Sequence, residues 1–141
     1  AVDSVQLATA GGDRDFVADA FVLATGGFES GALTADSYHN VHESVFDLPL
    51  RRPEGHLVHG DYWGDPQPLF TVGVEVDEHM LVHHPGGDPV YSNLYAAGGI
   101  LAGATRWQEK SGEGIAVASA VRAADSILAA AATATDQGAA S

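Results

Sequence analysis

Residues 93–117 read NLYAAGGILAGATRWQEKSGEGIAV, and the fold is decided there. An apolar strand over 94–97 runs into Gly98 and Gly99, a loop carries Gly103 and Gly112, and a helix begins near Gly114. Glycines let a ligand approach the main chain closely. The helix start adds unpaired N–H groups and the positive end of the helix dipole. Upstream, residues 20–28 (AFVLATGGF) repeat the device: a buried-strand pattern that ends in Thr25, Gly26 and Gly27. Each unit alone is also what a tight turn after a core strand looks like. Together they predict one binding crevice, fed by two loops at the carboxyl edge of a parallel sheet.

Working outward, residues 1–8 alternate with period two, as a half-buried strand does, and Gly11-Gly12-Asp13 supplies turn chemistry. The extended pattern resumes over 16–18, giving a hairpin that leads into the strand at 21–23. A chain that opens on a strand without Met reads as an excised piece of a longer one. Residues 29–68 hold Pro49, Pro53, Pro66 and Pro68 with Tyr38, Phe46, Tyr62 and Trp63, and their periodicity is poor. They predict an irregular excursion with one or two short strands, of the kind that closes over a ligand or meets a partner. Residues 69–76 (LFTVGVEV) predict a strand, 77–79 a turn and 80–83 the returning strand. From 115 to 132 nearly every residue is a strong helix former, with Ile115, Ala118, Ser119, Val121, Ala124, Ile127 and Leu128 marking the face expected to pack down. The tail from 133 to 141 is expected to be disordered.

The fold class expected is therefore α/β and Rossmann-like, with β-hairpin, parallel strands and C-terminal helix, and an inserted irregular or β region. The domain limits are 1–28 and 93–132 for the crevice-forming part, 29–92 for the inserted, cap-like region, and 133–141 for the tail.

Composition narrows the chemistry. The 141 residues suffice for one domain with a core. No apolar run is read as reaching the ~20 residues of a bilayer span, and no basic segment followed by an apolar one opens the chain. Cysteine is absent, so thiol chemistry, disulfides and thiolate-held clusters are excluded from these residues. The net charge is −13, with 19 acidic residues against a single lysine, Lys110. Nucleic acid is thereby an unsuitable partner, because phosphate backbones need a cationic face. Near-absence of lysine on so acidic a chain predicts a very salty host cytoplasm, where screening removes self-repulsion.

Other candidate groups carry plainer alternatives. Arg106 and Lys110 flank the glycine loop and would neutralise a bound anion, or simply balance Glu109 and Glu113 on a solvated loop. His79, His83 and His84 straddle a turn without a settled ligand spacing and read as surface histidines. His56, His59 and Asp61 stand with Tyr62 and Trp63 as either pocket lining or a packed anchor. No G-x-S-x-G elbow is present to support nucleophilic hydrolysis.

Three stretches carry a family resemblance: FVLATGGFESGAL (21–33), HGDYWGDPQPLFTVGVEVDEHM (59–80) and NLYAAGGILAGATRWQEKSGEGIAVASAVRAADSI (93–127). Their order resembles the C-terminal part of two-dinucleotide-binding-domain flavoproteins, most closely the B-subunit family of anaerobic glycerol-3-phosphate dehydrogenase. The resemblance implies a flavin held by Ala24, Thr25, Gly26 and Gly27, by Gly98 and Gly99, and by Gly112, Glu113, Gly114 and Ile115. The N–H groups of Gly114 and Ile115 would face the ring carbonyl that gains negative charge on reduction. It further implies oxidation of sn-glycerol 3-phosphate to dihydroxyacetone phosphate, with electrons passing to the quinone pool. FMN is the flavin expected, with FAD as the alternative. The partners would be a catalytic A subunit and an iron–sulfur C subunit that anchors the complex to the inner face of the membrane. A fumarate-reductase-like flavoprotein and a non-catalytic protein-interaction domain are the competing readings. The G-x-G-x-x-G fingerprint that grips nucleotide phosphates is not in the sequence, so these residues would supply half a flavin site and hold no flavin tightly alone.

Overall fold

The computed structural model describes residues 1–61, 64–105 and 110–138. Tyr62, Trp63, Arg106 and Glu109, singled out above, lie outside the described residues, as do 139–141. In chain order the strands are β1 (Ser4–Thr9), β2 (Gly12–Val17), β3 (Phe21–Leu23), β4 (Leu33–Ala35), β5 (Val41–Glu43), β6 (Leu50–Arg51), β7 (Gly73–Val76), β8 (Val82–His83) and β9 (Leu94–Ala96). The helix α1 (Gly112–Gly138) closes the chain.

One parallel pair lies at the centre: β3 aligns with β9 in the register Phe21↔Leu94, Val22↔Tyr95 and Leu23↔Ala96. The other described ladders are antiparallel: β1–β2, β4–β5, and the meander β6–β7–β8. The parallel sheet expected from sequence is thus two strands wide among the described residues. Mixed sheets with a C-terminal helix fit an α/β flavin-binding fold.

Apolar runs set where the core lies. Leu33, Val74, Val82, Leu94 and Ile100 are its largest fully buried side chains, drawn from five separate segments. Each stabilises by about 1.5–3 kcal/mol relative to exposure. Asn93 ties the chain start to this core: its amide donates to the Val2 carbonyl (2.8 Å), and its side-chain oxygen accepts the Val2 N–H (2.7 Å).

Several sequence expectations change. The opening hairpin is predicted as half-buried, yet β2 is exposed throughout and β1 almost so. Its turn chemistry and pairing are local, so alternation alone formed it without a covering layer. The strand predicted over 69–76 is shorter: Pro68–Thr71 forms a 3-10 turn, because proline favours a helical start and has no N–H for a ladder, and β7 begins only at Gly73. The excursion contains three short strands, β4, β5 and β6. The helix continues beyond residue 132 into the expected tail and ends at Gly138. Alanine is the best helix former, and Thr133 and Thr135 donate their hydroxyls to the carbonyls four residues back, 3.0 Å each.

The packed face of α1 also differs from the expected one. Ser119 and Ala123 are buried and Ile115, Ser126 and Ile127 half-buried, while Ala118, Val121, Ala124 and Leu128 face outward. So many alanines give the sequence no clear stripe to read. Gly112–Thr135 is, by length and composition, long and apolar enough to cross a membrane, contrary to the sequence expectation.

Candidate functional site: two glycine turns and a helix start

Parallel pairing puts the carboxyl ends of β3 and β9 side by side, so the turns that follow leave from the same edge. Ala97 N–H donates to the Leu23 carbonyl (3.0 Å) and carries the pairing to the last residue before the glycines. After β3, Gly26 takes φ +87°, and a Cβ there would stand 2.5 Å from Ser30 Oγ. Gly27 fixes the turn through its carbonyl, which accepts the N–H groups of Ala32 (3.1 Å) and Leu33 (3.2 Å) and the Ser30 hydroxyl (3.0 Å). After β9, Gly98 adopts φ +79° and opens the 3-10 turn Gly98–Ile100.

The two turns meet. Gly27 and Gly99 line one cavity with Phe28, Phe70, Val72 and Ala104, the two phenylalanines edge to face at 6.2 Å. The cavity measures about 30 Å³, the space of a water and far less than a ring system. These residues therefore supply an edge of a crevice, and a bound ring would lie outside the closed gap.

The helix start joins them through one serine. Ser119 Oγ accepts the Gly98 N–H at 2.8 Å and donates to the Ile115 carbonyl at 2.6 Å. Sequence periodicity counts Ser119 as part of a packing stripe. Its position instead clamps the second glycine turn onto the first turns of α1. Of the four predicted helix-start residues, Gly112, Glu113 and Gly114 form the turn whose N–H groups have no carbonyl four residues earlier within the helix. Ile115 departs from expectation: its N–H is spent on the Ser111 carbonyl at 2.8 Å. It cannot also face a ligand carbonyl without giving up that bond.

Gly114 is unlike the other glycines of the site. Among the described residues a Cβ there would meet nothing within 4 Å, and no positive φ is involved. A helical glycine costs roughly 1 kcal/mol relative to alanine. The fold does not need this one, and its effect is to leave the space beside the helix start open.

Sequence reasoning missed what supports the second turn from below. The main chain of Gly73 in β7 lies so close to residues 100–102 that a Cβ would fall 2.6 Å from Ile100 O, Leu101 C and Ala102 N. Ala102 N–H donates to Val74 O (2.9 Å) and Gly103 N–H to Thr71 O (2.9 Å), lacing the loop to β7. A glycine inside a strand is the signal that could have found this.

The remaining candidates are placed elsewhere. Gln67, between its two prolines, accepts the His59 N–H (2.9 Å) and donates to the carbonyls of His59 and Asp61 (3.2 Å each). The Pro-Gln-Pro motif thus staples the 59–61 backbone. Asp77 Oδ1 accepts the N–H groups of His79 (2.8 Å) and Leu81 (2.9 Å), building the turn before β8. His83 sits with Nδ1 2.8 Å from Gly87 O and Nε2 3.3 Å from Asp77 Oδ2. Lys110 has φ +48° and is exposed.

The family model described as FAD binding domain matches residues 2–115. The chain is 33% identical over 125 residues to the B subunit of anaerobic glycerol-3-phosphate dehydrogenase from Haemophilus influenzae (strain PittGG), covering 83% of this chain and 28% of that protein. It is 34% identical over 116 residues to the corresponding protein of Actinobacillus pleuropneumoniae serotype 5b (strain L20), covering 78% and 26%. With that of Yersinia pseudotuberculosis serotype I (strain IP32953) it is 33% identical over 122 residues, covering 83% and 27%. The chain thus spans a little over a quarter of the length of these relatives. No solved structure matches. The family is defined by FAD, and FMN, the form expected from resemblance, finds no support. With the two glycine turns joined at one sheet edge and the family model covering residues 2–115, the chain belongs to the FAD binding domain family.

Proposed function

We propose that these residues are the carboxyl-terminal portion of the FAD site in a glycerol-3-phosphate dehydrogenase subunit of the B type. In that role the whole protein helps oxidise sn-glycerol 3-phosphate to dihydroxyacetone phosphate and passes the electrons toward the quinone pool. The observation that supports it most is Gly114: a glycine the fold does not require, at a helix start clamped by Ser119 to the turn after β9. A bound flavin supplies hydride acceptance and electron relay. The chain's own part is to hold and orient it. Ala24, Thr25, Gly26 and Gly27 present main chain from the first turn, Gly98 and Gly99 from the second, and Gly112, Glu113 and Gly114 bring the positive end of the helix dipole. Ile115 contributes by packing, its N–H being engaged. From region 29–92, Phe70 and Val72 line the gap between the turns.

The partners that fit are a catalytic A subunit and an iron–sulfur C subunit that holds the complex at the inner face of the membrane. In the intact protein, Gly114→Val is expected to weaken FAD retention at least about tenfold, read by absorbance after gel filtration. The melting temperature should stay level or fall only slightly, since the added side chain enters open space. Full FAD content in the variant sinks the assignment. Assay of the reconstituted complex with glycerol 3-phosphate against succinate separates this reading from a fumarate-reductase-like one.

We also propose a high-salt host. With a charge of −13 on 141 residues, self-repulsion falls as salt rises, so the melting temperature is expected to climb between dilute buffer and molar KCl. A flat profile removes this proposal and leaves the flavin site untouched.

A further inference from the structure

A second cavity lies outside the glycine turns, between the tip of the β4–β5 hairpin and the segment after β6. It is open and polar and measures about 410 Å³. Tyr38, His39 and Asn40 line it from the hairpin tip, and Arg52 and His56 from the other segment. No carboxylate is among its lining residues, in a chain where 19 residues are acidic and only six are Lys or Arg.

The tip is held firmly. Asp36 Oδ1 accepts the N–H groups of Tyr38 (2.8 Å) and Asn40 (2.9 Å), and its Oδ2 accepts the Asn40 amide (2.9 Å). These bonds, the Asn40 side chain first and its backbone second, keep the Asp36 carboxyl below the usual carboxylate range. The nearest acid of the hairpin is therefore occupied by its own turn. His39 is left at φ +63°, and its carbonyl accepts from Arg52 Nη2 at 2.6 Å. That bond uses one of the five N–H donors of the guanidinium and orients the rest. A planar donor fork, two imidazoles and a phenol around one open cavity form a set suited to a small oxyanion.

We propose that this cavity binds the phosphate group of a small phosphorylated metabolite or free phosphate, independently of the flavin crevice. The guanidinium of Arg52 supplies the main charge-assisted contact, and His39 and His56 supply further donors.

The test is a chemical-shift titration of the intact, isotope-labelled protein at constant ionic strength, with inorganic phosphate and, separately, sn-glycerol 3-phosphate. Saturable shifts at residues 38–40 and 52–57 are expected with at least one ligand. Tighter binding of glycerol 3-phosphate identifies an organic phosphate as the occupant, and equal binding identifies the free oxyanion. Arg52→Gln should weaken binding about tenfold or more, Arg52→Lys less, and Arg14→Gln on the remote hairpin not at all. His39→Asn keeps a residue that tolerates positive φ and removes one imidazole, so it remains informative if the Arg52 variants unfold. Non-saturating shifts with both ligands, or an unchanged midpoint in Arg52→Gln and His39→Asn, overturn the proposal.

Discussion

Gly73→Ala should lower the unfolding free energy by about 3 kcal/mol or more, a value at the upper end for overpacking. The added methyl would fall 2.6 Å from three atoms of the 100–102 main chain, none of which can rotate aside as a side-chain tip can. Relief requires β7 and the loop to separate, breaking the bonds from Ala102 to Val74 and from Gly103 to Thr71. Because that loop follows directly on Gly98 and Gly99, FAD retention should fall in step with stability. Urea unfolding of variant and parent measures the first effect and absorbance the second. A loss below about 1 kcal/mol would mean that β7 and the loop do not approach so closely. Paired with Gly114→Val, the experiment separates two kinds of glycine. At Gly73 the space is filled by the protein, and at Gly114 it is open among the described residues.

The second large effect is expected at Glu43. This side chain is only 2% exposed, and its carboxylate accepts three main-chain donors: Val45 N–H at 2.9 Å, Phe46 N–H at 2.7 Å and Leu48 N–H at 3.4 Å. It thus closes the turn that leads from β5 toward β6. Glu43→Gln puts an NH₂ where an acceptor stood, so at least one buried N–H loses its partner, at a cost of about 1–3 kcal/mol. Glu43→Ala strands all three and should be worse than Gln. Thermal unfolding of the two variants provides the ranking. An alanine variant as stable as the glutamine one would show that water replaces the carboxylate. The inserted region should loosen first, because that is where the carboxylate's bonds lie.

Glu43 and Gln67 also mark where sequence reasoning stopped. Both serve main-chain groups within eight residues, yet nothing in composition or periodicity says that a charged residue on a short strand is buried. Burial depends on what packs against β5, and that is set by how β4 and β6 fold onto it. Ser119 is similar: helical spacing put it on a face, while its hydroxyl's partner, Gly98 N–H, is 21 residues away. Ile115 shows the converse. The resemblance assigned its N–H to a ligand, and the local bond to Ser111 removed it.

The helix illustrates how composition can mislead. Its propensity was plain, so its existence was legible, but its reach past residue 132 was not, since that tail was expected to be disordered. Its buried face was not legible, since its many alanines carry too little hydrophobic contrast to orient it.

By itself the sequence determined the two strand–glycine ends, the hairpin, the helix and the family, because each rests on local pattern and on residues whose backbone freedom is written in their type. Only the tertiary structure decided that the ends meet at Gly27 and Gly99, that Gly73 supports one of them from beneath, and that Arg52 bonds the His39 carbonyl at the wall of an open cavity. Those facts depend on pairing between distant segments, where a one-residue change of register redirects every side chain.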